Sequence, residues 1–200
     1  MIISISGEHG SGKSTLAVKL ADKLGYQRYY IGQILRNMAK EKGMIFADFL
    51  ELFKKDQKYD REVDDYVVKL GQSQDNFVIE SRTAWHFIPQ SLKIYLKTND
   101  LVAAKRMFLE LQANSENRKN ESNSTETLED VLRNNRQRKK DDDFRYKKYY
   151  GIDVNKMENY DFVLDTTNLT REEVLEQVLQ FVVKDRKSTR LNSSHNQRSR

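Results

Sequence analysis

The stretch Gly7-Glu8-His9-Gly10-Ser11-Gly12-Lys13-Ser14-Thr15 follows the apolar run Met1-Ile2-Ile3-Ser4-Ile5-Ser6 and precedes a helical pattern. Its spacing, G-x-x-x-x-G-K-[ST], is that of a phosphate-binding loop. Glycines at these positions adopt positive φ, so successive backbone N–H groups converge on a phosphate at the positive end of the following helix. Lys13 is placed to reach the β- and γ-phosphates of a nucleotide, and Ser14 to ligate Mg²⁺. A glycine-rich turn can match such a spacing by chance, but here the context is present on both sides. A β-branched strand comes before it, and Leu16, Val18, Leu20, Ala21 and Leu24 recur at helical spacing after it, closed by Gly25 as a C-cap. Residues 7–15 are therefore the candidate nucleotide-binding loop, with His9 contributing its backbone N–H.

Outward from this loop, strands and helices alternate. Tyr26 to Ile31 is aromatic and β-branched enough for a second strand. Three amphipathic stretches follow: Ile34, Leu35, Met38 and Ala39; Phe46, Phe49, Leu50 and Phe53; and Val63, Tyr66, Val67 and Leu70, the last ending at Gly71. Their aromatic stripes read as core. Arg61, Asp60 and Asp64 read as a solvated helix face, and Trp85, His86 and Phe87 as packing. Phe77-Val78-Ile79-Glu80, Ser91 to Leu96 and Tyr160 to Leu164 supply three more strands. Asn99 or Asp100 caps a helix from Leu101 to Leu111, and Thr170-x-x-Glu173 is a capping box for a last one. Gln112 to Thr125 is polar and reads as a flexible excursion. The expected fold is α/β, with five parallel strands, right-handed crossovers and a ligand crevice at the carboxyl ends of the strands.

Composition narrows the function. Two hundred residues suit one such domain, and the absence of cysteine excludes disulfides and thiolate zinc sites. No apolar run reaches the roughly 20 residues of a membrane helix. The first apolar run has no basic segment before it and leads straight into the loop, so it does not read as a signal peptide. The expectation is a cytoplasmic monomer with no membrane association. The net charge of +5 invites a nucleic-acid reading, but Lys187, Arg190, Arg198 and Arg200 sit in a tail with no acid. Taking these four from the 35 basic residues leaves 31 against 30 acidic. The Ser/Asn/Arg-rich run 187–200 reads as a disordered tail of non-native origin, and nucleic acid is disfavoured as a partner.

The loop alone does not separate kinases from switches, and the arginines decide. Gly32-Gln33-Ile34-Leu35-Arg36 resembles the G-D-x-x-R element of nucleoside monophosphate kinases, with Gln33 in place of the aspartate. The resemblance implies that Gly32 opens a helix and that Arg36 holds the acceptor's α-phosphate. Arg82 falls where these kinases carry a second phosphate-binding arginine after strand three. Glu80 falls beside the loop, where a carboxylate holds a Mg²⁺-bound water. Val102-Ala103-Ala104-Lys105-Arg106 is similar to the segment whose arginine packs on the donor adenine, with Glu110 where adenylate kinases have a second arginine. Arg138-x-x-x-Asp142-x-x-Arg145 resembles a cytidylate kinase lid, in which both arginines grip the transferring phosphates and the aspartate steadies them. Arg145-Tyr146-Lys147-Lys148-Tyr149-Tyr150-Gly151-Ile152-Asp153 is similar to the R-Y-x-x-x-Y-G-I-D signature of short, archaeal-type cytidylate kinases.

The resemblance implies one P-loop kinase domain over 1–186, with acceptor-binding helices at 32–72 and a lid at 126–150. It implies ATP and Mg²⁺ as cofactors and CMP or dCMP as acceptor. The physical logic agrees: bringing two polyanions together needs several cations and exclusion of water. Arg serves better than Lys there because its planar fork binds phosphate oxygens bidentately. The rivals are a UMP or AMP kinase, a dephospho-coenzyme A or shikimate kinase type, and a nucleotide-dependent switch. A GTPase needs N-K-x-D after a strand, and Lys97-Thr98-Asn99-Asp100 is not one.

Overall fold

Ile2, Ile3 and Ile5 are buried on both faces of one strand, which is what an apolar β-branched run does at the centre of a parallel sheet. The computed structural model describes residues 1–113 and 127–197, with Lys54 and 187–197 as backbone alone. That strand, β1 (Ile2–Gly7), leads through the glycine loop into α1 (Lys13–Leu24). The chain continues through β2 (Gln27–Tyr30), α2 (Ile31–Glu41), α3 (Phe46–Lys55), α4 (Lys58–Ser73), β3 (Phe77–Glu80), a single turn α5 (Ala84–Phe87) and β4 (Leu92–Lys97). It closes with α6 (Asp100–Gln112), α7 (Leu128–Tyr150), β5 (Phe162–Asp165) and α8 (Arg171–Gln197). All five strands pair in parallel, in the order β2-β3-β1-β4-β5.

Both faces of the sheet are covered. Ile3, Ile5, Val78, Ile94 and Leu96 pack under α1 and α8 against Leu16, Leu20, Val178 and Val182. Ile2, Phe77 and Ile79 face the other way, toward Val67 and Leu70 of α4 and Ile88. Fully burying each such side chain contributes about 1.5–3 kcal/mol, so these layers hold the loop's two flanking elements in place. A third cluster of Trp85, Tyr95, Tyr146, Val154 and Tyr160 seats the C-terminal end of α7, and a smaller one of Ala104, Met107 and Val131 seats its N-terminal end on α6. Phe46, Phe49 and Phe53 form a core of their own between α2, α3 and α4.

The caps follow the residue chemistry. Asn99 Oδ1 accepts from Leu101 N at 2.9 Å, Thr170 and Glu173 form the expected box, and Thr127 with Asp130 forms a second box at the start of α7. Three expectations need correction or delimitation. α4 does not end at Gly71 but runs to Ser73. Gly71 is there because a Cβ would lie 2.8 Å from the Ile88 side chain, so it permits close packing rather than breaking the helix. α8 continues to Gln197 through the run expected to be disordered, since extending a helix already nucleated on the core costs far less than starting one; residues 198–200 lie outside the described residues. The excursion read over 112–125 lies almost wholly outside the described residues too, apart from Gln112 ending α6 and Ala113 capping it.

Gly7 is the tightest point of the frame. It sits at φ 141°, and a Cβ there would lie 2.3 Å from the Leu96 backbone oxygen. Gly43 also has positive φ (66°) but nothing within 4 Å of its would-be Cβ. Gly7→Ala therefore meets both backbone strain and an immovable neighbour, whereas Gly43→Ala meets strain alone, about 1–2 kcal/mol. Urea unfolding should show Gly7→Ala losing more stability than Gly43→Ala; equal losses would refute the close approach.

Candidate active site

The first and last glycines of the loop serve different ends. Gly7 lets the chain leave β1 against β4, with Glu8 N donating to Leu96 O at 3.0 Å, and Gly12 caps α1 in the left-handed region. Between them Ser11 Oγ and Lys13 Nζ both donate to the Glu8 carbonyl oxygen, at 2.8 and 2.5 Å, folding the loop back on itself. Ser14, on the first turn of α1, donates to Glu80 Oε1 at 2.7 Å. Glu80 gets there because β3 lies beside β1 with Ile5 opposite Glu80, which places its buried carboxylate at the carboxyl end of the sheet. Its other oxygen, Oε2, lies 3.4 Å from Nη2 of Arg28, the second residue of β2. A serine hydroxyl and a carboxylate converging beside a phosphate loop are hard oxygen donors that fit Mg²⁺, which keeps most of its ligands as water and phosphate. No group of three or more His, Cys, Asp or Glu able to hold a metal occurs among the described residues, in keeping with so sparse a donor set.

Arg82 follows β3 and turns toward the loop. Its Nη2 lies 2.8 and 2.5 Å from the two ring nitrogens of His9, and its Nη1 pairs with Asp142. His9 thus contributes its ring as well as its backbone, a contact that the loop spacing does not reveal. Glu8 likewise uses its carboxylate: Oε2 accepts from Thr98 N at 2.8 Å after β4, and Oε1 from Lys139 Nζ at 2.9 Å. Arg106 of α6 donates to the Thr166 oxygen at 2.8 Å, and the Thr166 hydroxyl lies 3.1 Å from Ser11 O, so Arg106 abuts the loop through the β5–α8 turn.

The helix α7 carries the remaining charges on one side because Arg138, Asp142 and Arg145 are spaced four and three residues apart. Asp142, 6% exposed, pairs with Arg82 and accepts from Arg145 Nη2 at 3.0 Å. Arg145 is buried, and its Nε lies 3.3 Å from Asp60 Oδ1 on α4. Arg138 stacks over the Phe46 ring, as Arg36 does from α2. A cavity of 20 Å³ remains between the loop, Arg82, Lys139 and Asp142, room for about one water, so α7 lies close against the loop.

Asp60 and Asp64 are not solvated: both are buried, facing α7 from α4. Tyr150 donates to Asp64, and Asp60 pairs with Arg145. Burial pushes the Asp60 carboxyl up to about 6 against the pull of Arg145. Burial likewise raises Asp64 to about 7, opposed by the Tyr150 hydrogen bond and assisted by Asp60. Their i, i+4 spacing on a helix that also carries apolar Val63, Val67 and Leu70 was the available signal, masked by the surrounding charge. His86 remains exposed, and its ring lies edge-on to Phe87.

A parallel sheet in this order, with Lys13 and Ser14 following a glycine loop between β1 and α1, defines a P-loop protein of the kinase type. Solved structures agree at the level of fold. A shikimate kinase from Bacteroides thetaiotaomicron superposes with a TM-score of 0.61 at 12% identity, over 91% of this chain and 98% of that one. The chain belongs to the cytidylate kinase-like family, whose sequence profile matches residues 2–168. A cytidylate kinase from Methanosarcina acetivorans is 34% identical over 179 residues, covering 88% of this chain and 93% of that one. One from Methanothrix thermoacetophila is 36% identical over 166 residues, covering 83% and 88%.

Because both α4 carboxyls are raised, the folded chain holds protons between about pH 4 and 7 that the unfolded chain has released. The stability this lends is greatest at the acid end and is lost as pH rises through about 6 and about 7. Asp64→Asn keeps an acceptor for Tyr150 and removes the ionisation. Its urea midpoint should fall less steeply than the wild type's between pH 5 and 7.5; parallel pH profiles would contradict the burial of Asp64.

Proposed function

We propose that the chain transfers the γ-phosphoryl group of ATP to CMP or dCMP, with residues 7–15 and Arg106 holding the donor, the helices of 32–72 holding the acceptor, and 126–150 forming the lid. The observation that carries this reading is the convergence of Arg82 and Asp142 on the loop that bears Lys13, in a member of the cytidylate kinase-like family. Ser14 and Glu80 are the residues to hold Mg²⁺, which when bound neutralises charge on the donor phosphates. Lys13 and the loop N–H groups fix those phosphates; Gly32 and Arg36 at the head of α2, with Arg82, take the acceptor's phosphate. Arg138 and Arg145 add charge as the phosphoryl group passes across, and Asp142 keeps their helix in register with Arg82. No covalent intermediate or general base is needed, because transfer of this kind is governed by positioning and electrostatics.

The carboxylates now engaging these cations indicate how binding proceeds. Lys139 must leave Glu8, and Asp142 must loosen from Arg82, before phosphate oxygens can take their places, which couples ligand entry to movement of α7. No helix among the described residues is long and apolar enough to cross a membrane. A cytoplasmic location and a monomeric state complete the reading.

Formation of ADP by the purified chain should occur with CMP and dCMP and exceed that with UMP, AMP or shikimate. Lys13→Ala should lower kcat on the order of 10²–10³-fold. Arg36→Ala and Arg82→Ala should raise the acceptor KM by roughly 10–100-fold, the effect of losing a charge-assisted hydrogen bond. No ADP above background with any nucleoside monophosphate would end the kinase reading.

A further inference from the structure

Three arginines from different segments alternate with two aromatic rings. The guanidinium carbon of Arg28 lies 5.0 Å from the Tyr30 ring centre, and that of Arg36 lies 5.7 Å from the same centre. Arg36 in turn lies 4.8 Å from the Phe46 ring centre, and Arg138 lies 5.2 Å from it. The row starts at the corner where Arg28 approaches Glu80 and Glu80 accepts from Ser14, and it ends on the lid helix. A ring face attracts a guanidinium, and a ring that meets two of them draws like charges toward one another.

The rings are held firmly. Phe46 is 3% exposed inside the α2–α3–α4 core. The Tyr30 hydroxyl accepts from Arg36 Nη1 at 2.9 Å, and Arg36 also donates to Gly32 O at 3.0 Å. A Cβ on Gly32 would lie 2.5 Å from Tyr30 Cε2, so the glycine there makes room for the ring to lie against the start of α2. Arg28 has a buried Nε with no hydrogen-bond partner among the described residues, a donor available to an incoming acceptor.

We propose that Tyr30 and Phe46 are positioning residues that stack Arg28, Arg36 and Arg138 into one row of charge, making Arg28 a further cation for the reacting phosphates and setting the lid arginine from the same ring as the acceptor arginine. This rests on the phosphotransferase reading given above. Phe46 thereby links acceptor binding to lid placement: a phosphate that draws Arg36 shifts the surface on which Arg138 rests.

The test compares Phe46→Leu with Phe49→Leu, a ring of the same core over which no cation lies among the described residues. Phe46→Leu should lower kcat/KM for CMP by about 5–30-fold, equivalent to about 1–2 kcal/mol at 1.4 kcal/mol per decade, through both KM and kcat. Its affinity for an ATP analogue alone should stay within about twofold. Phe49→Leu should lose as much thermal stability with kcat/KM within about twofold of the wild type. Tyr30→Leu should repeat the kinetic loss at a less deeply buried position, and Tyr30→Phe should recover most of it. Calorimetry with inorganic tripolyphosphate reads the row without any acceptor, and binding should weaken in Phe46→Leu and Tyr30→Leu. Kinetics and tripolyphosphate affinity matching those of Phe49→Leu would overturn the proposal. A wild type that phosphorylates no nucleoside monophosphate would sink the kinase reading, and the tripolyphosphate comparison would still decide the row.

Discussion

Cations brought together inside a fold have to be neutralised by partners, and the folded chain depends on how this is done. Asp142 sits between Arg82 and Arg145 with His9 Nε2 3.8 Å away, and Asp60 takes the far side of Arg145. Taking charges out of water costs several kcal/mol per ion unless partners compensate, and removing one partner of a buried pair is worse than never having had the pair. The carboxylates of α4 and α7 therefore hold α4, α7, the end of β3 and the glycine loop in one electrostatic unit. The sheet supplies the frame, but these pairs decide where α7 lies upon it.

That arrangement divides what was legible in the sequence from what was not. The loop, the five strands and the caps of α6 and α8 each announce themselves within ten residues, because spacing, β-branching and cap chemistry are local. Phe77–Glu80 could be read to the residue for that reason. The positions of Lys13, Ser14, Glu80 and Arg82 around the loop followed from the motif and the parallel order. The partners of the charged groups did not. Asp60 and Asp64 looked like a wetted face because nothing near them in the chain says that Arg145 and Tyr150 arrive from more than eighty residues away. Glu8 and His9 occupy variable positions of the loop pattern, and their side chains acquire meaning only once Lys139 and Arg82 are beside them. Gly71 misled through its commonest role, since close packing against Ile88 leaves no mark in a helical pattern.

The same contrast separates the two kinds of aromatic residue. Phe49 and Phe53 meet edge to face, with centres 5.4 Å apart, and do what an amphipathic stripe implies. Phe46 belongs to that stripe as well, yet its ring also meets two guanidinium groups. A periodicity argument assigns all three to the core and is correct about burial, but burial does not exhaust what a ring does when cations adjoin it.

The two ends of α7 are fastened on different parts of the fold, and its two arginines stand at different distances from either end. Near Gly151, which turns the chain in the left-handed conformation, Tyr146 of α7 packs among Trp85, Tyr95, Val154 and Tyr160, while Val131 toward the other end packs on Ala104 and Met107 of α6. At 1.5 Å per residue Arg138 stands about 20 Å from Gly151 and Arg145 about 9 Å. A swing of roughly ten degrees about Gly151 carries Arg138 about 3 Å and Arg145 about half as far. Leverage alone thus gives the two arginines unequal strokes, the outer one moving about twice as far as the inner one beside Asp60.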